Sequence, residues 1–209
     1  MRKIPRISLA NKLSSRDIDK IAGLHKKLLW ESILGEFGLL FLKELYLSIS
    51  RDRESIIILA KNGNDVVGFL IATKNKYSFY SRIARNFSPI LFLTALKSLI
   101  LKPLLPFKFI SWWFFSRKIN LPKAELQFIA IDNQFQSLGL GSKMLKLLEK
   151  VYAKSHIDTF SVGTKSENKA SNRFYIKKNF KLFYSGFVLG DKHNYYVSKI
   201  RNHHKSSDK

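Results

Sequence analysis

The chain contains no cysteine. That excludes disulfides, zinc–thiolate centres and a cysteine nucleophile, and it fits a reducing compartment. Acids are scarce: fifteen Asp and Glu stand against thirty-seven Lys and Arg, a formal net charge of +22. Such a field repels polycationic acceptors such as polyamines. It attracts anions, whether nucleic acid, lipid headgroups or small phosphate-bearing molecules. Met1–Asn11 carries basic residues without an apolar h-region, so no secretory leader is expected and the protein reads as cytoplasmic. No internal repeat is visible. The five histidines do not fall at metal-ligand spacing beside acids. No metal is expected, and His25 reads as structural or as part of an acceptor cleft.

What is present is a core. Hydrophobic residues make up 45% and aromatics 13% of 209 residues, enough for one folded domain and too much for a disordered chain. Residues 3–9 read as a short strand. Ser14 or Ser15 caps a helix whose apolar face runs through Ile18, Ile21, Leu24 and Leu28. Leu34 to Ile49 reads as a second amphipathic helix. Glu54–Lys61 and Asp65–Thr73 are strand-like runs joined by Asn62-Gly63-Asn64, a strong hairpin signal. Further on come a strand (124–131), a helix (139–154), a strand (158–162), a helix (168–177) and two strands near 180–188 and 193–199. Residues 1–200 are expected to form a single domain, and 201–209 a disordered basic tail. The expected fold class is α/β, with helices on both faces of a mixed sheet.

The chemistry concentrates in Glu125-Leu-Gln-Phe-Ile-Ala-Ile-Asp-Asn-Gln-Phe-Gln136-Ser-Leu-Gly139-Leu-Gly141-Ser. A buried strand ends at Ile131, and a short loop then enters a helix through glycines. Glycine lets an anion come close to the backbone, and first-turn N–H groups without intrahelical partners can hold it. The pattern predicts a phosphate or pyrophosphate site. It is neither the dinucleotide fingerprint, which needs a third glycine, nor a P-loop. On its own it is equally compatible with close helix packing.

Gln136-x-x-Gly139-x-Gly141 resembles the Gln/Arg-x-x-Gly-x-Gly/Ala signature of the GNAT acetyltransferases, and Ile129-Ala130-Ile131-Asp132 resembles the strand before it. About thirty residues later, Asn168-x-Ala170-x-x-x-Phe174-Tyr175-x-x-x-Asn179-Phe180 is similar to that family's second signature. Asn179 stands where the family has Gly, and Asn also tolerates the left-handed conformation at a helix end. The resemblance implies the GNAT fold, a mixed but mostly antiparallel sheet, with acetyl-CoA as acyl donor. It further implies that the amides of Gln136, Ser137, Leu138, Gly139, Leu140, Gly141 and Ser142 bind the CoA pyrophosphate. Lys143 would help to screen its charge. Main-chain groups of Ile129 and Ile131 would pair with the pantetheine arm, Asn168 would hydrogen-bond it, and Tyr175 would protonate the departing thiolate. A core role is the alternative for Tyr175. Glu125, eleven residues before Gln136, has the spacing of the glutamate base in histone-type members; a strand-end surface carboxylate is the alternative, and Glu31 and Glu36 are further candidates. Members that acetylate protein α-amines place a glutamate where this chain has Gly163.

Between the third and fourth strands lies an insertion of about 75–122, and from Lys74 to Pro122 the chain has no acid. Ser88-Pro89 reads as a helix start, Ile90–Leu101 as an apolar helix, and 109–115 as an aromatic run. Apolar residues, tryptophans and cations across 79–118 fit a segment lying on an anionic membrane surface. A lid over the acceptor cleft, a homodimer contact and an extra core layer are the alternatives. A nucleic-acid platform ranks below them, because Leu and Ile outnumber what base stacking needs. The resulting expectation is acetyl transfer from CoA to a small primary amine, such as an amino sugar on a nucleotide or lipid carrier. Competing readings are a protein or peptide N-acetyltransferase and a non-catalytic CoA-binding, membrane-associated module.

Overall fold

The computed structural model describes residues 4–29, 32–86, 119–188 and 190–200, with scattered positions between 88 and 110. The expected helix at 90–101, the aromatic run at 109–115, Glu31 and the tail 201–209 lie wholly or mostly outside the described residues.

Strand β1 (Arg6–Leu9) leads to α1 (Ser15–Leu28), and a 3-10 turn (Ile33–Phe37) leads to α2 (Leu39–Arg51). Strands β2 (Ser55–Asn62) and β3 (Asp65–Thr73) form the expected hairpin, followed by α3 (Lys76–Arg85). Then come β4 (Ala124–Ile131), α4 (Leu140–Lys154), β5 (Thr159–Lys165), α5 (Lys169–Lys177), β6 (Lys181–Val188) and β7 (Asp191–Lys199). Seven strands make one sheet in the order β1-β2-β3-β4-β5-β7-β6, and only the β4–β5 pair is parallel.

Alternation along the strands builds two cores. Ile57, Leu59, Phe69 and Ile71 face α1, α2 and α3, while Ile56, Ile58, Leu70 and Ala72 face α4. With both faces covered, β2 and β3 are apolar almost throughout, as their sequences are. Helix α1 starts on a capping box in which Ser14 Oγ accepts from Asp17 N–H and Asp17 accepts from Ser14 N–H.

One expectation needs correction. The run from Leu34 to Ile49 is not one helix. Gly38, at φ 93°, ends the 3-10 turn, and α2 begins after it; glycine alone takes that backbone at little cost. Within the expected insertion of about 75–122, helix α3 packs into the core. Asn75 caps it, and Phe79 and Ile83 are fully buried. Arg82 locks it down through a two-pronged pair with buried Asp52, at 3.0 and 3.3 Å. Charge and turn signals in 74–86 conceal that helix.

Candidate active site

β4 and β5 pair over three positions only: Ala124 with Phe160, Glu125 with Ser161, Leu126 with Val162. β5 then continues to Lys165 against β7, while β4 continues to Ile131 against β3. The two strands therefore part after Leu126, and one edge of β4 is left open along a wedge-shaped notch. Asp132 N–H donates to Val67 O at 2.8 Å, which sets the alternation of the β3–β4 ladder. By that alternation the main-chain groups of Ile129 and Ile131 face the notch. The Ile131 carbonyl is already engaged: Gln136 Nε2 donates to it at 3.1 Å and to Asn133 Oδ1 at 2.9 Å. The Gln136 side chain thus braces the loop against the end of β4.

The glycine loop is built as its sequence implies. Ser137 and Gly139 both take positive φ, 65° and 72°, and α4 has no side-chain cap. Its first backbone bond is Lys143 N–H to Gly139 O at 3.1 Å, so the amides of Leu140, Gly141 and Ser142 precede the ladder. Gly141 is also a packing requirement. A Cβ there would meet Ile131 Cδ1 at 3.3 Å and Phe174 Cζ at 3.4 Å. The glycine brings α4 down onto β4 and onto the second signature at once.

That second signature forms α5. Asn168 is its N-cap, with Oδ1 accepting from Ser171 N–H at 3.0 Å. Its Nδ2 makes no hydrogen bond among the described residues. Asn179 takes the expected left-handed conformation at φ 63°, and Phe180 N–H returns to Tyr175 O at 3.1 Å. Tyr175 is buried against Phe180 and Tyr196, in the same apolar cluster as Leu126 and Val162, the last pair before the notch. Burial raises its pKa well above the ordinary phenol value, so it is a protonated donor throughout the working range.

Glu125 lies on the face of β4 opposite the core that takes Ala124 and Leu126. The register shifts between Ile71 and Ala72, so that Gln127 is an extra residue on β4. The bulge keeps Ala124 and Leu126 in the α4 core, yet turns Phe128 and Ala130 into the α1–α2 core. Glu125 and Gln127 lie beyond it, with Gln127 Nε2 donating to Glu125 Oε2 at 2.6 Å and Tyr80 donating to Gln127 Oε1 at 3.4 Å. Tyr152, rising from α4, donates to Thr73 O at 2.9 Å and to Glu125 O at 3.2 Å, and ties β3 to β4 there. Burial raises the Glu125 pKa, opposed by the Lys76 charge and the Gln127 bond. Lys76 is itself buried, its Nζ makes no hydrogen bond among the described residues, and burial lowers its pKa against the pull of Glu125. A carboxylate held above its usual range is suited to taking a proton near neutrality.

Sequence reasoning missed Lys76, Gln127 and Tyr195 around this carboxylate. Tyr195 on β7 pairs with Gly163, and its ring lies across that glycine: a Cβ at 163 would come within 3.1 Å of it. Glycine at 163 therefore has a local reason. The bulge has no sequence signature, and the Tyr195-Tyr196 doublet does not reveal which ring faces which core. His25 is structural. It is fully buried, 2.6 Å from Tyr46 Oη through Nδ1 and 2.7 Å from Ser32 Oγ through Nε2, and burial lowers its pKa to about 4. Glu36 lies partly buried in the 3-10 turn. Among the described residues no group of three His, Asp or Glu could hold a metal. Nor is any described helix long and apolar enough to cross a membrane.

A notch beside a central strand, with a bulge at its closed end and an uncapped glycine turn at its open end, is the candidate site. The family model for the acetyltransferase (GNAT) family matches residues 26–180. The chain belongs to the GNAT acetyltransferase family. Its fold is similar to that of the PaiA N-acetyltransferase from Thermoplasma acidophilum, solved in complex with coenzyme A. The TM-score is 0.58 at 15% identity, over 93% of this chain and 99% of that one. It is likewise similar to an N-acetyltransferase from Staphylococcus aureus Mu50, with TM-score 0.58, 13% identity and 94% and 99% of the two chains covered. For the ribosomal-protein-S18-alanine N-acetyltransferase from Escherichia coli the TM-score is 0.53, at 13% identity over 97% and 99% of the two chains. Among curated proteins none matches the sequence.

Proposed function

We propose that the protein transfers an acetyl group from acetyl-CoA to a primary amine. The observation that carries this reading is the three-residue β4–β5 pairing, which opens a strand-wide notch between an uncapped glycine turn and a raised-pKa carboxylate. The amides from Gln136 to Ser142 hold the pyrophosphate, with the Lys143 charge nearby. Ile129 and the N–H of Ile131 pair with the pantetheine arm as an added strand would. Asn168 caps α5 with its oxygen and keeps its Nδ2 for that arm.

Acetyl-CoA supplies the activated thioester. Glu125 takes the proton that the acceptor's ammonium must lose, directly or through one water. The neutral nitrogen then bonds to the acyl carbon as the carbon–sulfur bond breaks; Tyr175 gives its phenolic proton to the departing sulfur, and the proton that the new amide nitrogen sheds restores the phenol through solvent. With no cysteine in the chain, direct attack needs no acyl-enzyme.

The acceptor fitting a +22 protein is an amine that also bears phosphate, such as an amino sugar on a nucleotide or lipid carrier. Ile90, Leu93, Ile100, Leu104, Phe107 and Ile110 are all at least half exposed, which supports contact of the insertion with an anionic membrane at its cytoplasmic face. Peptide acetylation of the α-amine type is disfavoured, since Gly163 has the Tyr195 ring over it and no room for a carboxylate.

The test is acetyl transfer by the purified protein to a panel of amino-sugar phosphates, peptides and simple amines, alongside melting with and without acetyl-CoA. A donor at ~100 times its Kd should add roughly 2.7 kcal/mol of stability. A folded protein that neither melts later nor acetylates any amine sinks the proposal; turnover of peptides alone sinks the acceptor.

A further inference from the structure

Lys76 holds a cation where three things disfavour one. It is only 9% exposed, and its Nζ makes no hydrogen bond among the described residues. It also stands in the first turn of α3, at the positive end of the helix dipole. The backbone is clamped there. Asn75 Oδ1 accepts from Tyr77 N–H at 3.0 Å, and Lys76 N–H donates to Lys123 O at 2.8 Å. Methionine would fill the same space without the cost of burying a charge.

The charge that Lys76 senses is that of Glu125. Each pulls on the ionisation of the other, yet no hydrogen bond joins them. One Glu125 oxygen is instead held by Gln127 at 2.6 Å. Aromatic rings wall the space. Lys76 Nζ lies 5.1 Å from the centre of the Tyr77 ring, Tyr77 donates to Leu121 O at 3.4 Å, and Leu121 packs with Tyr195. A cation and a carboxylate held apart in one aromatic enclosure match a molecule that carries both an ammonium and an anionic group.

We infer that Lys76 sets acceptor specificity: its ammonium takes an anionic oxygen group, phosphate or carboxylate, on the same molecule that presents its amine to Glu125. The inference rests on the proposed role of Glu125 as base, and it narrows the acceptor to a zwitterion. The flexible four-carbon stem lets Nζ turn from its cover towards that group. The anion supplies the charge-assisted hydrogen bond that the buried ammonium lacks, and the positive end of α3 favours it as well. The overall charge of +22 cannot make this choice, because a field spread over the surface draws every anion alike.

The test uses two pairs of probes that differ in one anionic group: O-phosphoethanolamine against ethanolamine, and β-alanine against β-alaninamide. For each pair, kcat/KM for acetyl transfer and, separately, calorimetric binding to the CoA-saturated protein give the preference for the charged member. The parent should prefer the charged member of at least one pair, and which pair it is separates phosphate from carboxylate. Lys76→Met should shrink that preference roughly 10–100-fold, the range for losing a hydrogen bond to a charged group, with the change carried by KM. Lys76→Arg should restore part of it. Lys154→Met removes an exposed lysine and the same unit of charge, and should leave the preference standing. No preference in either pair overturns the inference, and that result needs no variant to fold. So does a preference that Lys76→Met leaves intact. Charge-selective binding through Lys76 without acetylation of any amine would remove the proposed reaction and keep the anion site.

Discussion

The hydroxyl of Tyr196 donates to Asn172 Oδ1 at 2.7 Å, joining β7 to the middle of α5 inside the protein. The same oxygen accepts from Asn194 Nδ2 at 2.8 Å, while Asn172 Nδ2 donates to the carbonyls of Asn168, Lys165 and Ser166 at 2.7, 2.9 and 3.3 Å. One amide thereby fixes where α5 starts relative to the sheet, and with it Asn168 and Tyr175.

Replacing Asn172 by Ala strips partners from a buried phenol and several carbonyls. Each unsatisfied group costs about 1–3 kcal/mol, so the loss should be about 3 kcal/mol or more. Differential scanning calorimetry should show a drop of several degrees. A melting point within one degree of the parent would mean that water replaces the network.

Glu125→Gln should lower kcat by about 10²–10⁴-fold with little change in acetyl-CoA affinity, the range for loss of a general base. Tyr175→Phe should lower kcat in the same way. Parallel titrations of acetyl-CoA by calorimetry separate the two effects. Weakened donor binding with kcat intact would move either residue from the chemistry to the binding of the cofactor.

The Lys76 charge draws the Glu125 pKa down against burial. Lys76→Met removes that pull, so the carboxylate should protonate at higher pH. The acidic limb of the kcat/KM profile should then move to higher pH. An acidic limb that stays in place would show that Glu125 is not the titrating base.

His25 is held neutral in the fold, its pKa lowered from 6.5 to about 4 by burial. A depressed folded-state pKa means that the unfolded chain binds the proton first as pH falls. The stabilisation is therefore complete above pH 6.5 and is lost on acidification towards pH 4. The full window corresponds to about 3 kcal/mol. Urea unfolding of the parent and of His25→Gln, compared from pH 7 to 4.5, isolates this contribution. Curves that stay parallel across the window would overturn it.

The glycine turn, the Asn179 helix end and the succession of most elements along the chain are legible in the sequence, because each rests on local chemistry: a residue that tolerates positive φ, a cap, or an apolar alternation. Helix α3 is not. It is held by Phe79 and Ile83 in the core and by Arg82 reaching Asp52, thirty residues away, and no window of sequence contains that pair. The surroundings of Glu125 were hidden for a similar reason. Strand alternation alone would put Leu126 and Phe128 on one face, and the extra residue at Gln127 is recognisable only from the opposing register of β3. Gly163 reads as a missing functional residue until Tyr195 is seen lying across it.

The short β4–β5 pairing also has a mechanical meaning. Glu125 belongs to the block of strands on one side of that seam and Tyr175 packs on the block at the other, and besides its three rungs the seam is spanned by a shared apolar cluster in which Tyr152 of α4 meets Phe160 of β5. In the proposed mechanism the alignment of Glu125 with Tyr175 is thus a property of that seam. Trimming Leu148 or Met144 from that cluster should disturb this alignment before either block melts. Turnover should accordingly fade at a lower temperature than the one at which the helices unwind.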